Sequence, residues 1–124
     1  MSDAVTFPTE FEIDRGRLIF GRYFDLSGVT PETASACPAC SIGQFAQAAG
    51  LRPEAVTVPG TEQRQALLDF LQYGPADVFQ QIYKSNDAIG RTYNDKRREL
   101  HEAVIVRAFS YVGVTATFVG EYIE

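Results

Sequence analysis

The chain has 124 residues, is 45% hydrophobic, and carries a formal net charge of -5 with a pI near 4.8. That length and apolar content suit a single domain, residues 1–124, built on one core. The acidic balance argues against broad binding to nucleic acid or anionic membrane, because phosphate contacts need clustered Lys and Arg. No apolar run approaches the roughly 20 residues that a membrane-spanning helix needs.

The first residues, MSDAVTFPTEFEID, are acidic and alternating, which is not the pattern of a signal peptide. The expected location is therefore the cytoplasm, or an assembly formed there. From Ala4 to Asp14, Val5, Phe7, Phe11 and Ile13 point one way while Thr6, Glu10, Glu12 and Asp14 point the other. This period of two predicts a strand with one buried face. Pro8 cannot donate a ladder hydrogen bond, which puts the strand at an edge. Asp14-Arg15-Gly16-Arg17 supplies turn chemistry, and Arg17 to Leu26 reads as a second strand. Leu18, Phe20, Phe24 and Leu26 lie on one of its faces, Ile19 and Tyr23 on the other. The two strands together predict a hairpin.

Ser27-Gly28 breaks the second strand, and Thr30 caps a short turn opened by Pro31. A helix is expected from about Pro38 to Ala49, since proline is tolerated in a first turn and Gly50 can adopt the left-handed stop. Ile42, Phe45, Ala46 and Ala49 then share its buried face. Pro59-Gly60 ends the following stretch. Thr61 caps a helix to about Tyr73, striped by Leu67, Phe70 and Leu71. Gly74-Pro75 joins it to another, whose inner face is Val78, Phe79, Ile82 and Tyr83.

Asn94 or Asp95 caps a longer segment that reaches about Val112 and closes at Gly113. Leu100, Val104, Ala108 and Tyr111 recur at helical spacing with Ile105, Phe109 and Val112 alongside, a stripe wide enough for a largely buried helix, whereas the β-branched run Val104-Ile105-Val106 pulls towards strand. The caps favour helix. Val114 to Ile123 alternates again and predicts a last strand. The fold class expected from this order is α+β: a small antiparallel sheet, made of the N-terminal hairpin and the C-terminal strand, with about four helices inserted between. A sheet this small has open edges, which are often covered by another copy of the chain.

Three motifs carry chemical leads. Cys37-Pro38-Ala39-Cys40 places two thiols at a helix start, where free amides and the helix dipole lower a thiol pKa. Cys37 would be the nucleophile and Cys40 the resolving thiol. These four residues and the helix after them resemble the Cys-Pro-x-Cys of thioredoxin-like proteins such as glutaredoxins, in which a βαβ unit feeds the motif. Here a hairpin and a Pro31-led turn do so. The alternative is two small buried residues packed like hydrophobes. A zinc site would need two more ligands, with His101 and an acid such as Glu102 brought close.

The second motif is SIGQFAQAAGLRPEAV, residues 41–56. Ala46, Gly50 and Val56 have the spacing of a repressor-type helix-turn-helix, which it resembles. Pro59-Gly60, however, cuts the recognition helix short, and only Arg52 is offered to a phosphate or base. The third is the basic run Arg91, Lys96, Arg97 and Arg98 in an acidic protein. Cations in a first helical turn oppose the dipole, and a broken local rule can mark a site for an anion or an acidic partner surface. The ordinary alternative is a solvated face on which Arg98 pairs with Glu102 one turn on.

No nucleophile elbow, phosphate loop or second histidine is present, and His101 reads as a surface residue flanked by acids. The sequence therefore predicts a non-enzymatic protein-binding or structural subunit of an oligomer or larger assembly, such as a virion component. It predicts no cofactor or metal, and a protein partner met by self-association. A thiol-disulfide protein using Cys37 and Cys40, and a helix-turn-helix DNA-binding regulator, are the alternatives.

Overall fold

The computed structural model describes residues 6–21, 24–25, 37–58, 60–71 and 78–122. Several expectations fall outside the described residues. They are the strand ends at Ala4, Val5, Leu26 and Ile123, the Tyr23 position, the Ser27-Gly28 break, the Thr30-Pro31 turn, the Pro59 stop, the helix end at Tyr73 and the Gly74-Pro75 joint. Along the chain come β1 (Glu10–Asp14), a 3-10 turn (Arg15–Arg17), α1 (Ser41–Ala48), α2 (Pro53–Thr57) and α3 (Glu62–Leu71). They are followed by α4 (Val78–Ile89), α5 (Asp95–Ser110) and β2 (Thr115–Val119).

The expected antiparallel sheet is not formed. Among the described residues there are two strands, and β1 pairs with β2 in parallel, Phe11 opposite Ala116 and Ile13 opposite Phe118. The protein is a mixed α+β fold that is mostly helix. The reason lies at Asp14, where the hairpin should begin. The Asp14 carboxylate accepts the Gly16 amide at 2.9 Å and coils the chain into the 3-10 turn instead of reversing it. The Asp14 backbone amide and carbonyl both bind the side-chain amide of Gln44 on α1, at 2.7 and 3.0 Å. A glutamine thus holds the peptide groups that a hairpin partner would have held.

Beyond the turn, the described residues of the expected second strand make isolated bridges. Leu18 and Phe24 each bridge to Ala39. Ala39 donates to the Arg17 carbonyl at 2.9 Å, and Asp25 donates to the Pro38 carbonyl at 2.8 Å. The Cys37–Cys40 stretch is therefore extended and lies between these segments. α1 starts at Ser41 with Cys40 as its N-cap, three residues later than Pro38. Asn86 of α4 donates to the Ile19 carbonyl at 2.9 Å, and the Gly21 amide donates to Asp87 at 2.9 Å, so side chains fix this loop as well.

With no second strand between them, β1 and β2 lie side by side, Thr115 donating to the Thr9 carbonyl at 2.8 Å. Parallel neighbours need a long crossover, and the stretch holding the five helices of the described residues supplies it. Alternation holds in both strands. Phe11 and Ile13 are buried while Glu10 and Glu12 are exposed, and Val114 and Ala116 are buried while Thr115 and Thr117 are exposed. The inner face meets α1 and α5. Phe45 of α1 sits at the middle, with the rings of Phe7, Phe11, Phe70 and Phe109 at centroid distances of 5.4, 5.1, 5.7 and 5.1 Å. Such aromatic pairs add about 0.5–1.5 kcal/mol each beyond the area they bury.

The segment from Asp95 is a helix in spite of its β-branched run. Asn94 caps it by accepting the Arg97 amide at 3.1 Å, and Gly113 at φ 79° lets Val114 donate back to the Phe109 carbonyl at 3.1 Å. Of the expected wide stripe, Ala108, Ile105 and Phe109 are buried, but its two ends are not. Leu100 is 67% exposed and Tyr111 is also exposed, whereas Arg98, Glu102, Ile105 and Phe109 are buried. Their spacing of four, three and four is helical, but its first two members are charged.

Candidate functional site

Both cysteines of the Cys-x-x-Cys motif are free and buried. Cys40 Sγ accepts the Gly43 amide at 3.4 Å as the N-cap of α1. Cys37 lies outside the helix, where Gln47 Nε2 reaches its sulfur at 3.3 Å and its carbonyl at 3.1 Å. Arg17 donates to the same carbonyl at 3.2 Å and to Gln47 Oε1 at 3.1 Å. Burial pushes the Cys40 thiol up to about 11, against the lowering effect of the Gly43 amide. Burial also raises Cys37, outweighing its hydrogen bond from Gln47 and the charge of Arg17. The helix start that would stabilise a thiolate thus belongs to Cys40, and desolvation overrides it there. No group of three or more His, Cys, Asp and Glu placed to hold a metal ion occurs among the described residues.

In the helix-turn-helix lead, α1 does end at a left-handed Gly50, φ 78°, with Leu51 donating to the Ala46 carbonyl at 3.0 Å. The second helix is α2, of 5 residues, and Val56 is buried in the core. Thr61 then caps α3 through the Arg64 amide at 3.2 Å. A helix of 5 residues has fewer than two turns to lay in a groove.

The basic run is divided by the fold. Arg91, Lys96 and Arg97 are exposed at the corner where α4 leads into α5. Among the described residues none of these three side chains has an ion-pair or hydrogen-bond partner. Beside them Tyr93 is 90% exposed. Arg98 turns inward instead, with its guanidinium 4.7 Å from the centroid of the Tyr122 ring and its Nε donating to the Thr92 carbonyl at 2.9 Å.

Arg98 there joins a cluster that hydropathy patterning does not find. Arg15 donates from Nε and Nη2 to the two carboxylate oxygens of Glu102, at 2.9 and 2.7 Å, and from Nη1 to the Gly120 carbonyl at 3.0 Å. This is the two-pronged fit of guanidinium to carboxylate. The Tyr122 hydroxyl donates to Glu102 as well. Burial alone would raise the Glu102 carboxyl, but the hydrogen bonds from Arg15 and Tyr122 and the charges of Arg15 and Arg98 outweigh it and hold the group below its usual range. Burial and the adjoining carboxylate push the Tyr122 hydroxyl up. A carboxylate held ionised and a phenol held protonated are both far from the poise that proton transfer needs at neutral pH. The cluster therefore acts as a clasp joining the 3-10 turn, α5 and the segment after β2. A shallow hollow of roughly 630 Å³ opens beside it, lined by Asp95, Arg98, Glu99, Glu121 and Tyr122. The only trace of this cluster in the sequence is the Arg98–Glu102 spacing at one end of an otherwise apolar stripe.

A second hollow, of roughly 740 Å³, lies on the sheet and is lined by Pro8, Glu10, Glu12, Asp14, Ala48 and Val119, among others. Glu10 and Glu12 are exposed there and have no ion-pair partner among the described residues. No helix among the described residues is long and apolar enough to cross a membrane. The chain matches no family model, no curated protein and no solved structure.

Proposed function

We propose that this chain is a non-enzymatic, protein-binding subunit of an oligomer or larger assembly, of the kind found in a virion or another multi-subunit particle formed in the cytoplasm. One contrast carries this. No buried side-chain nitrogen or oxygen lacks a hydrogen-bond partner among the described residues. The buried polar groups Ser41, Gln44, Asn86 and Glu102 are all engaged in holding the chain to itself. The unpaired side chains are on the surface, Arg91, Lys96, Arg97 and Tyr93 among them, where aromatic and arginine side chains favour protein contacts.

The thiol-disulfide alternative loses support from the burial of Cys37 and Cys40 and from their raised pKa values. DNA binding loses support from the shortness of α2 and the net charge of -5. Size exclusion with light scattering tests the proposal. A particle heavier than the 13.7 kDa chain is the expected result, and a monomer at high concentration and low salt would contradict it.

A further inference from the structure

Two surfaces of this chain carry opposite charge without a partner. One is the sheet hollow, where Glu10 and Glu12 stand unpaired beside apolar Pro8, Ala48 and Val119 and the Asp14–Arg17 ion pair completes the rim. The other is the α4–α5 corner, where exposed Arg91, Lys96 and Arg97 flank exposed Tyr93 in the chain, with Asp95 and Glu99 also exposed there. Arg15, Arg17 and Arg98 are engaged internally, on Glu102, on Asp14 at 3.5 Å and on Tyr122, while Lys84 and Arg107 are exposed like the cations of the corner. The corner differs in bringing three cations close together in the chain, two of them in the first turn of α5, where the dipole disfavours them and Asp95 offsets it.

We infer that the α4–α5 corner of one copy docks into the acidic sheet hollow of the next, with Tyr93 as the apolar anchor and Glu10 and Glu12 receiving Arg91, Lys96 and Arg97. The inference rests on the assembly proposed above and names its interface. An exposed tyrosine close in the chain to arginines has the composition of an interface hot spot. A tyrosine buries about 150–250 Å² when it seats.

The two surfaces are not one patch. α5 packs its Glu102 and Ile105 side inward, against the inner face of the sheet. Lys96 is two residues before Arg98, about 160° around the helix from it at 3.6 residues per turn, and so points away from the sheet. The hollow includes the exposed side of β1, on the far side of that sheet. Self-complementary two-fold pairing would need both surfaces to meet across one axis. Surfaces that face apart instead join head to tail, which closes a ring or extends a filament. Nucleic acid as the occupant of the corner is disfavoured, since three cations on a chain of net charge -5 give little phosphate affinity at physiological salt.

The test is a charge swap read by sedimentation of the full chain. Glu10→Lys/Glu12→Lys makes both surfaces basic, and Lys96→Glu/Arg97→Glu makes both acidic. Each variant alone is expected at the 13.7 kDa of a single chain under conditions where the unaltered protein is larger. Their equimolar mixture is expected to recover the larger mass and to lose it again in about 1 M salt, where screening acts within roughly 3 Å. If the unaltered protein assembles and both variants assemble equally well, the head-to-tail interface is wrong and the assembly proposal survives. If the unaltered protein is itself a monomer, both fall. A mixture that stays monomeric while each variant melts as cooperatively as the parent also overturns the interface. Should either variant fail to fold, the parent decides alone: a particle whose mass does not fall with salt has no such charge-matched contact. A 20-mer duplex DNA retained by the parent, but not by Lys96→Glu/Arg97→Glu, would assign the corner to nucleic acid and overturn the interface.

Discussion

α1 and α5 both turn polar side chains into the protein, and the difference between them explains most of the architecture. α1 buries neutral groups. Gln44 holds the Asp14 peptide and the Ala39 carbonyl, and the Ser41 amide and hydroxyl both reach Asn86 Oδ1, at 2.9 and 2.6 Å. These contacts replace a hairpin: they satisfy backbone groups of an irregular segment that has no ladder of its own. α5 buries charge. Glu102 is gripped by Arg15 and Tyr122 and ties the two ends of the described chain onto one helix. The neutral set should respond little to pH and salt. The charged set should respond to both, because its strength depends on the ionised carboxylate.

The largest effect is expected on the charged side. Glu102→Ala leaves Arg15 and the Tyr122 hydroxyl without their acceptor and should cost about 3 kcal/mol, at the low end for a broken buried pair because Arg15 is partly exposed. Chemical denaturation measures this, and a loss below about 1 kcal/mol would mean that the clasp behaves like a surface ion pair. Gln44→Ala comes next. It strands the Asp14 amide and two carbonyls at a partly solvated site, and about 2 kcal/mol should be lost in the same assay. The penalty for Gln44→Ala should be unchanged between pH 7 and pH 4, which separates the two helices.

The Glu102 contribution should fade with acid. Its carboxyl is held below the ordinary value, so the stabilisation is complete above the unfolded pKa of about 4.3 and is lost as pH falls through the lower folded value. The gap in stability between the parent and Glu102→Gln should therefore narrow from pH 7 towards pH 3. A gap that is flat across that range would contradict the assignment. The smallest effect is at the thiols. A raised thiol pKa favours folding below the unfolded value of about 8.5 and loses that benefit as pH rises towards 11. Cys40→Ala should cost about 1 kcal/mol or less near neutrality and flatten the alkaline decline. Iodoacetamide should modify Cys37 and Cys40 slowly at pH 8 until the chain is unfolded. Rapid modification of the folded chain would return the redox alternative to the lead.

What could be seen in the sequence follows the same division. The alternation of Phe11 and Ile13 with Glu10 and Glu12, the stops at Gly50 and Gly113, and the caps at Thr61 and Asn94 are local signals, and each lies where the pattern places it. The parallel pairing is not local. It depends on Gln44 reaching Asp14 across 30 residues, and a glutamine on a short helix carries no mark of that. The clasp was hidden for a related reason. Arg15, Glu102 and Tyr122 are each ordinary surface residue types, and only the fold brings them together. The basic run was visible as a run, but the fold divides it: Arg98 belongs to the clasp, while Arg91, Lys96 and Arg97 stay outside.

We propose that the chain works through its surface, by binding protein, since the buried polar groups among the described residues are all satisfied internally. Sedimentation velocity over a concentration series tests it most directly. A particle larger than the 13.7 kDa chain, growing with protein concentration and shrinking with salt, is the predicted result. A single 13.7 kDa species at every concentration, even at low salt, would contradict it.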